Sequence, residues 1–144
     1  MIEIPLLMLD QSLPIPTYAK DGDAGLDLYA RQSLLLEPGA RGLVPTGVAL
    51  QIPLGYAGFI LPRSGLAIKH GITCLNSPGL IDSGYRDELI IILANTDLEH
   101  SYQIERGDRI AQLVVQAVEQ VEFIQVKSLS ESTRGSGRFG HSGK

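Results

Sequence analysis

The stretch ELIIILANT, residues 88–96, runs through apolar residues from Leu89 to Ala94 between a glutamate and an asparagine. It is rich in β-branched side chains, and polar residues bound it on both sides. Such a run reads as a buried strand. Outward from it the same pattern recurs in RIAQLVVQAV (109–118) and VEFIQV (121–126). GLVPTGVALQIP (42–53) and GYAGFILP (55–62) are short apolar runs punctuated by glycine and proline. No segment sustains a 3.6-residue apolar period with caps. RSGLAIKHG (63–71) predicts one helical turn at most. Many short strands at close spacing predict an all-β barrel or sandwich.

The length of 144 residues suits one domain, and 44% hydrophobic residues can fill a core. The formal net charge of −4 gives no basic face for nucleic acid, so an anionic ligand must be held by local donors. Cys74 is the only cysteine, which leaves no disulfide framework and no zinc quartet. The opening MIEIPLLMLD lacks a basic leader pattern, and no apolar run has the length of a membrane span. No membrane partner is expected, and the expected location is the cytoplasm. After residue 128 the composition changes to SLSESTRGSGRFGHSGK, where Leu129 and Phe139 stand among glycines, serines and charges. This divides the chain into a β domain, 1–128, and a flexible arm, 129–144.

Four stretches carry residues suited to chemistry, each with an ordinary reading beside it. In GLIDSGYRDE (79–88), Asp82 follows Leu80 and Ile81 and precedes a Ser-Gly turn; it is a turn-former or a positioned base. PRSGLAIKHGI (62–72) sets Arg63, Ser64 and Gly65 at a strand end, as a capped turn or as a cradle for phosphate oxygens. In GDRIAQLV (107–114), Gln112 lies inside an apolar run, where an unpartnered amide loses about 1–3 kcal/mol. It is a satisfied core amide or it faces a ligand. DAGLDLYA (23–30) alternates apolar residues with Asp27 and Tyr29, as any half-exposed strand does. The terminal RGSGRFGHSGK looks superficially like a phosphate loop, but Arg138 stands where that motif needs glycine. The Asp-Ser-Gly triplet suggests half of an aspartic protease dyad, yet Tyr85 follows it and no later support segment appears.

Taken in order, AGLDLYA, RSGLA, LNSPGLIDSGYRDEL, GDRIAQLV and RGSGRFGHSG resemble the five motifs of the homotrimeric dUTP diphosphatases (dUTPases). The resemblance spans nearly the whole chain. Gly84 stands where many members have Asp, Asp87 where many have Gly, and His141 where Ser is common. The resemblance implies a jelly-roll-like β-barrel subunit, a homotrimer with three shared sites, and an arm that closes over the site. It implies hydrolysis of dUTP to dUMP and pyrophosphate, which keeps uracil out of DNA and supplies dUMP for dTMP synthesis. Asp82 is then the base that activates water for attack on the α-phosphorus. Arg63, Ser64, Gly65 and Gln112 match phosphate-binding positions. Tyr85 matches the residue beneath the deoxyribose. Asn76, Leu80 and Ile81 belong to a uracil-reading hairpin, and Ile90 adds a main-chain contact. Arg134, Phe139 and Gly140 match the closing arm. Mg²⁺ is implied on the phosphates, with Asp27 supporting the metal-water shell or the site indirectly.

Two other readings remain. A dCTP deaminase shares the fold but needs a glutamate where Ile92 stands. A non-enzymatic nucleotide-binding trimer would have no need of Asp82.

Overall fold

The computed structural model describes residues 2–132. Strands dominate, in the order β1 (Leu6–Met8), β2 (Leu26–Tyr29), β3 (Leu34–Leu36), β4 (Arg41–Pro45), β5 (Val48–Leu50) and β6 (Tyr56–Leu61). A helix, α1 (Ser64–His70), precedes β7 (Ile72–Cys74), β8 (Gly79–Ile81), β9 (Ile90–Asn95), β10 (Tyr102–Ile104) and β11 (Arg109–Ala117). Every strand pairing is antiparallel. One sheet has the order β2-β11-β6-β8 and a second β4-β9-β7; β1-β5 and β10-β3 form two-stranded sheets. Strands distant in sequence lie side by side, as in a jelly roll, and among the described residues no ladder closes the sheets into a barrel.

The apolar stretch at 88–96 becomes β9, the central strand of its sheet, with Ile92 opposite Leu43 and Leu93 opposite Cys74. Its buried Ile91 and Leu93 meet Leu28, Ile60, Ile110 and Leu113 of the four-stranded sheet in one core. Burial pushes the Cys74 thiol up to about 11, so it acts as a small apolar side chain and not as a nucleophile. The strand's polar end is satisfied: Asn95 Nδ2 donates to the Leu36 and His100 carbonyls at 3.0 and 2.8 Å.

Two local expectations differ from the structure. The 63–71 segment is not one turn but a seven-residue helix of about two turns. Gly71 ends it in the left-handed region at φ 66°, donating back to Ala67, a termination that a residue with a side chain adopts only with strain. The segment VEFIQV forms no strand; Phe123 is 94% and Ile124 82% exposed. A strand needs an edge to pair with, and the described part of the chain brings none to it.

At one end of the core, loops are tied by charges. Arg106 Nη1 donates to Asp10 Oδ2 at 2.7 Å, and Arg31 pairs with Glu88 at 3.2 Å. Glu88 also accepts the Gly47 N–H at 2.7 Å. The Arg106 guanidinium, then the Ser12 hydroxyl, hold the Asp10 carboxyl far below its ordinary value of 3.8. A depressed folded pKa gives stability that is present above the unfolded value and is lost as pH falls through the folded one. Asp10→Asn is therefore expected to melt below the parent at pH 6, with the gap narrowing as pH drops from about 5 towards 2. Thermal melts of both proteins across that range check it; a gap independent of pH contradicts it.

Candidate active site

α1 begins where β6 leaves the four-stranded sheet. The first intrahelical donor to Arg63 C=O is Leu66, so the N–H groups of Ser64 and Gly65 are left for another acceptor. A Cβ placed on Gly65 would meet nothing within 4 Å, so the space before it is open. Gln112 lies on β11 between two partners, opposite Leu61 on one side and Asp27 on the other. Gly25 makes room for it: a Cβ there would stand 3.2 Å from Gln112 Cβ. The result is an open cleft of about 300 Å³ lined by Arg63, Ser64, Gly65, Leu66, Lys69, His70 and Gln112.

Asp27 sits beneath this cleft, buried to 5% exposure. Its Oδ1 accepts from Arg63 Nε at 3.1 Å and its Oδ2 from Arg109 Nη1 at 3.3 Å. Arg63 Nη1 also donates to the Arg109 carbonyl at 3.2 Å. A buried carboxylate between two guanidiniums fixes both, and Arg63 thereby presents its remaining edge in one orientation. Sequence spacing gave no sign of this, because Asp27 and Arg63 lie 36 residues apart.

The second group of residues surrounds Asp82. Tyr85 N–H donates to the Asp82 carbonyl at 3.1 Å, closing the turn that the Ser-Gly pair suggested. The Tyr85 hydroxyl donates to the Glu88 carbonyl at 2.8 Å. Loss of water contact, then the charges of Asp87 and Glu88, raise the Tyr85 phenol above its ordinary range, so it stays a neutral donor. Asp82 itself is exposed, as are Asn76, Leu80 and Ile90. The hairpin assigned to Asn76, Leu80 and Ile81 is not a paired one. β7 joins β9 in one sheet and β8 joins β6 in another, so the intervening residues bridge two sheets. The turn after β8 likewise passes from one sheet to the other.

The two groups do not meet in one chain. Ile81 is opposite Gly58 and Gln112 opposite Leu61, so Asp82 extends to the level of Ala57. Four residues of strand separate the levels, about 13 Å, and β8 and β11 flank β6, about 10 Å apart. No residue of the Asp82 turn lines the cleft. Arg134, Phe139 and Gly140 lie outside the described residues. Lys69 and His70, which do line the cleft, were not singled out from the sequence; for Lys69, the spacing of four residues from Gly65 on a helix was the available signal.

The dUTPase family model matches residues 11–143. A deoxyuridine 5'-triphosphate nucleotidohydrolase of Thermobifida fusca is 50% identical over 142 residues, covering 99% of this chain and 79% of that protein. One from Rhodococcus erythropolis is 51% identical, covering 99% and 87%. Among solved structures, a dUTPase of Staphylococcus bacteriophage 80alpha with dUpNHpp superposes with a TM-score of 0.89 at 31% identity, each chain covered in full. A phage phi11 dUTPase, described with a structural Mg(II) ion, superposes with a TM-score of 0.79 at 27% identity, covering 88% and 98%. With the family model matched from Gln11 almost to the C-terminus and half of all residues shared with such relatives, this chain belongs to the dUTPase family.

Proposed function

We infer that this protein hydrolyses dUTP to dUMP and pyrophosphate. The observation that carries the reading is the cleft in which Ser64, Gly65 and Gln112 converge beside an arginine locked by a buried carboxylate. Phosphoryl transfer relies on positioning and on donors aimed where charge develops, and this cleft offers both. Ser64 and Gly65 supply backbone N–H groups, Ser64 its hydroxyl, Gln112 its amide and Arg63 its charge. Asp82 takes a proton from water as the water oxygen bonds to the α-phosphorus. The bond from that phosphorus to the bridging oxygen breaks, and pyrophosphate leaves. Tyr85, held at its hydroxyl by the Glu88 carbonyl, walls one side of the sugar. Asn76 and the backbone of Leu80 and Ile81 flank a base beyond it, with Ile90 nearby. Arg134, Phe139 and Gly140 would complete the enclosure.

The donor set also fits Mg²⁺ carried on the substrate. Among the described residues no three His, Cys, Asp or Glu side chains cluster for a metal. Both Asp27 oxygens are engaged by arginines, so Asp27 supports the site through Arg63 and reaches a metal only through water. When bound to the triphosphate, Mg²⁺ neutralises charge on the phosphates.

A working site needs an Asp82 turn next to a phosphate cleft, and one chain holds them apart. Sites shared between chains of a homotrimer resolve this, and the exposed apolar segment with Val121, Phe123 and Ile124 offers surface for such assembly. Incubation with dUTP, dCTP and dUTP analogues followed by separation of products tests the reading. dUMP with pyrophosphate from dUTP is expected, and dCTP is expected to remain intact. Formation of dUTP from dCTP, or binding without turnover, overturns it.

A further inference from the structure

The phosphate donors assigned above share about one net positive charge, because Asp27 answers one of the two guanidiniums, Arg63 and Arg109, that it holds. Arg63 shares the Asp27 carboxylate, 3.1 Å from its Nε, with Arg109, and Ser64, Gly65 and Gln112 are neutral. A triphosphate would thus face a cleft whose one arginine is already half answered. Lys69 changes this balance. It lines the same cleft, and no carboxylate among the described residues pairs with it. Asp97, which shares an adjoining hollow with Lys69, directs its Oδ1 to the backbone N–H groups of Glu99 and His100 at 2.8 and 3.0 Å.

The helix gives the ammonium a route to the phosphate donors. Lys69 follows Gly65 by four residues, so the two stand one turn apart on one face. Helical side chains lean towards the N-terminus of their helix. Gly65 has no side chain and open space before it, so nothing on that face stops the Lys69 stem from lying back across it towards Ser64. His70, the other basic residue of the last turn, is engaged elsewhere: its ring lies 4.7 Å from that of Tyr102.

Resting on the reading of this cleft as the phosphate site, we propose that Lys69 binds the phosphate chain of the substrate and adds a full positive charge to that of Arg63, which Asp27 answers in part.

The test uses the full-length protein and its Lys69→Met and Lys69→Arg variants. Lys69 is exposed, so the substitutions leave the core untouched. Lys69→Met is expected to raise KM for dUTP about tenfold with kcat little changed, as for loss of one charged contact. Calorimetric affinity for inorganic tripolyphosphate is expected to fall by the same factor, and Lys69→Arg to restore most of both. Inhibition by deoxyuridine, which has no phosphate, is expected to stay the same. Unchanged tripolyphosphate affinity in Lys69→Met, no tripolyphosphate binding by the parent, or parallel weakening of deoxyuridine overturns the proposal. Tripolyphosphate binding is read without turnover. A parent that binds it in a Lys69-dependent way but leaves dUTP intact rejects the dUTPase reading and upholds the role of Lys69.

Discussion

Asp82→Asn is expected to give a folded protein that binds dUTP normally and hydrolyses it about 10²–10⁴-fold more slowly, the usual loss when a general base is removed. The fold has little reason to respond. Asp82 is exposed, and the hydrogen bond that closes its turn uses its backbone carbonyl, 3.1 Å from Tyr85 N–H. Asparagine suits such turns as well as aspartate does. The change therefore removes a proton acceptor and little else. Steady-state turnover, with binding of a non-hydrolysable dUTP analogue measured in parallel, separates the two consequences. Turnover near that of the parent would remove Asp82 from the role of base. Loss of analogue binding would mean that it holds substrate instead.

The turn at Asp82 was legible because its surroundings are local: an apolar pair, a Ser-Gly turn and an aromatic within seven residues. The strands were legible for the same reason, since β9 and β11 are long apolar runs whose pattern needs no partner to be seen. What stayed hidden depends on distant pairing. Nothing near Asp27 in sequence suggested that it holds Arg63 and Arg109 at once. Crossing between sheets is equally non-local: β7, β8 and β9 follow one another in the chain, but β8 pairs with β6, and so the expected hairpin became a bridge between sheets. The helix exceeded its expected single turn, and Gly71 terminates it in the left-handed conformation two turns after Arg63. VEFIQV shows the opposite limit, a strand-like pattern without an edge in the described chain.

Mixing two disabled proteins is expected to restore activity that neither has alone. One carries Asp82→Asn. The other carries Ser64→Ala with Gln112→Ala, which removes two donors to charged oxygens and is expected to lower turnover about 10²-fold or more. The reason lies in the strand register. Asp82 extends β8 to the level of Ala57, whereas Gln112 is opposite Leu61, and the two strands flank β6 on different sides. One chain therefore cannot bring its own base to its own phosphate cleft without tearing β8 from β6. Two chains side by side can do so with both sheets intact. In trimers assembled at random from equal amounts, about a quarter of the sites between neighbours would combine an intact turn with an intact cleft. Co-refolded mixtures should then recover about a quarter of parental turnover, far above either variant alone. Native mass spectrometry verifies that mixed trimers form. If mixed trimers are present and turnover stays at the level of the two variants, the base and the cleft of each site come from the same chain, and β8 must leave β6 during the reaction.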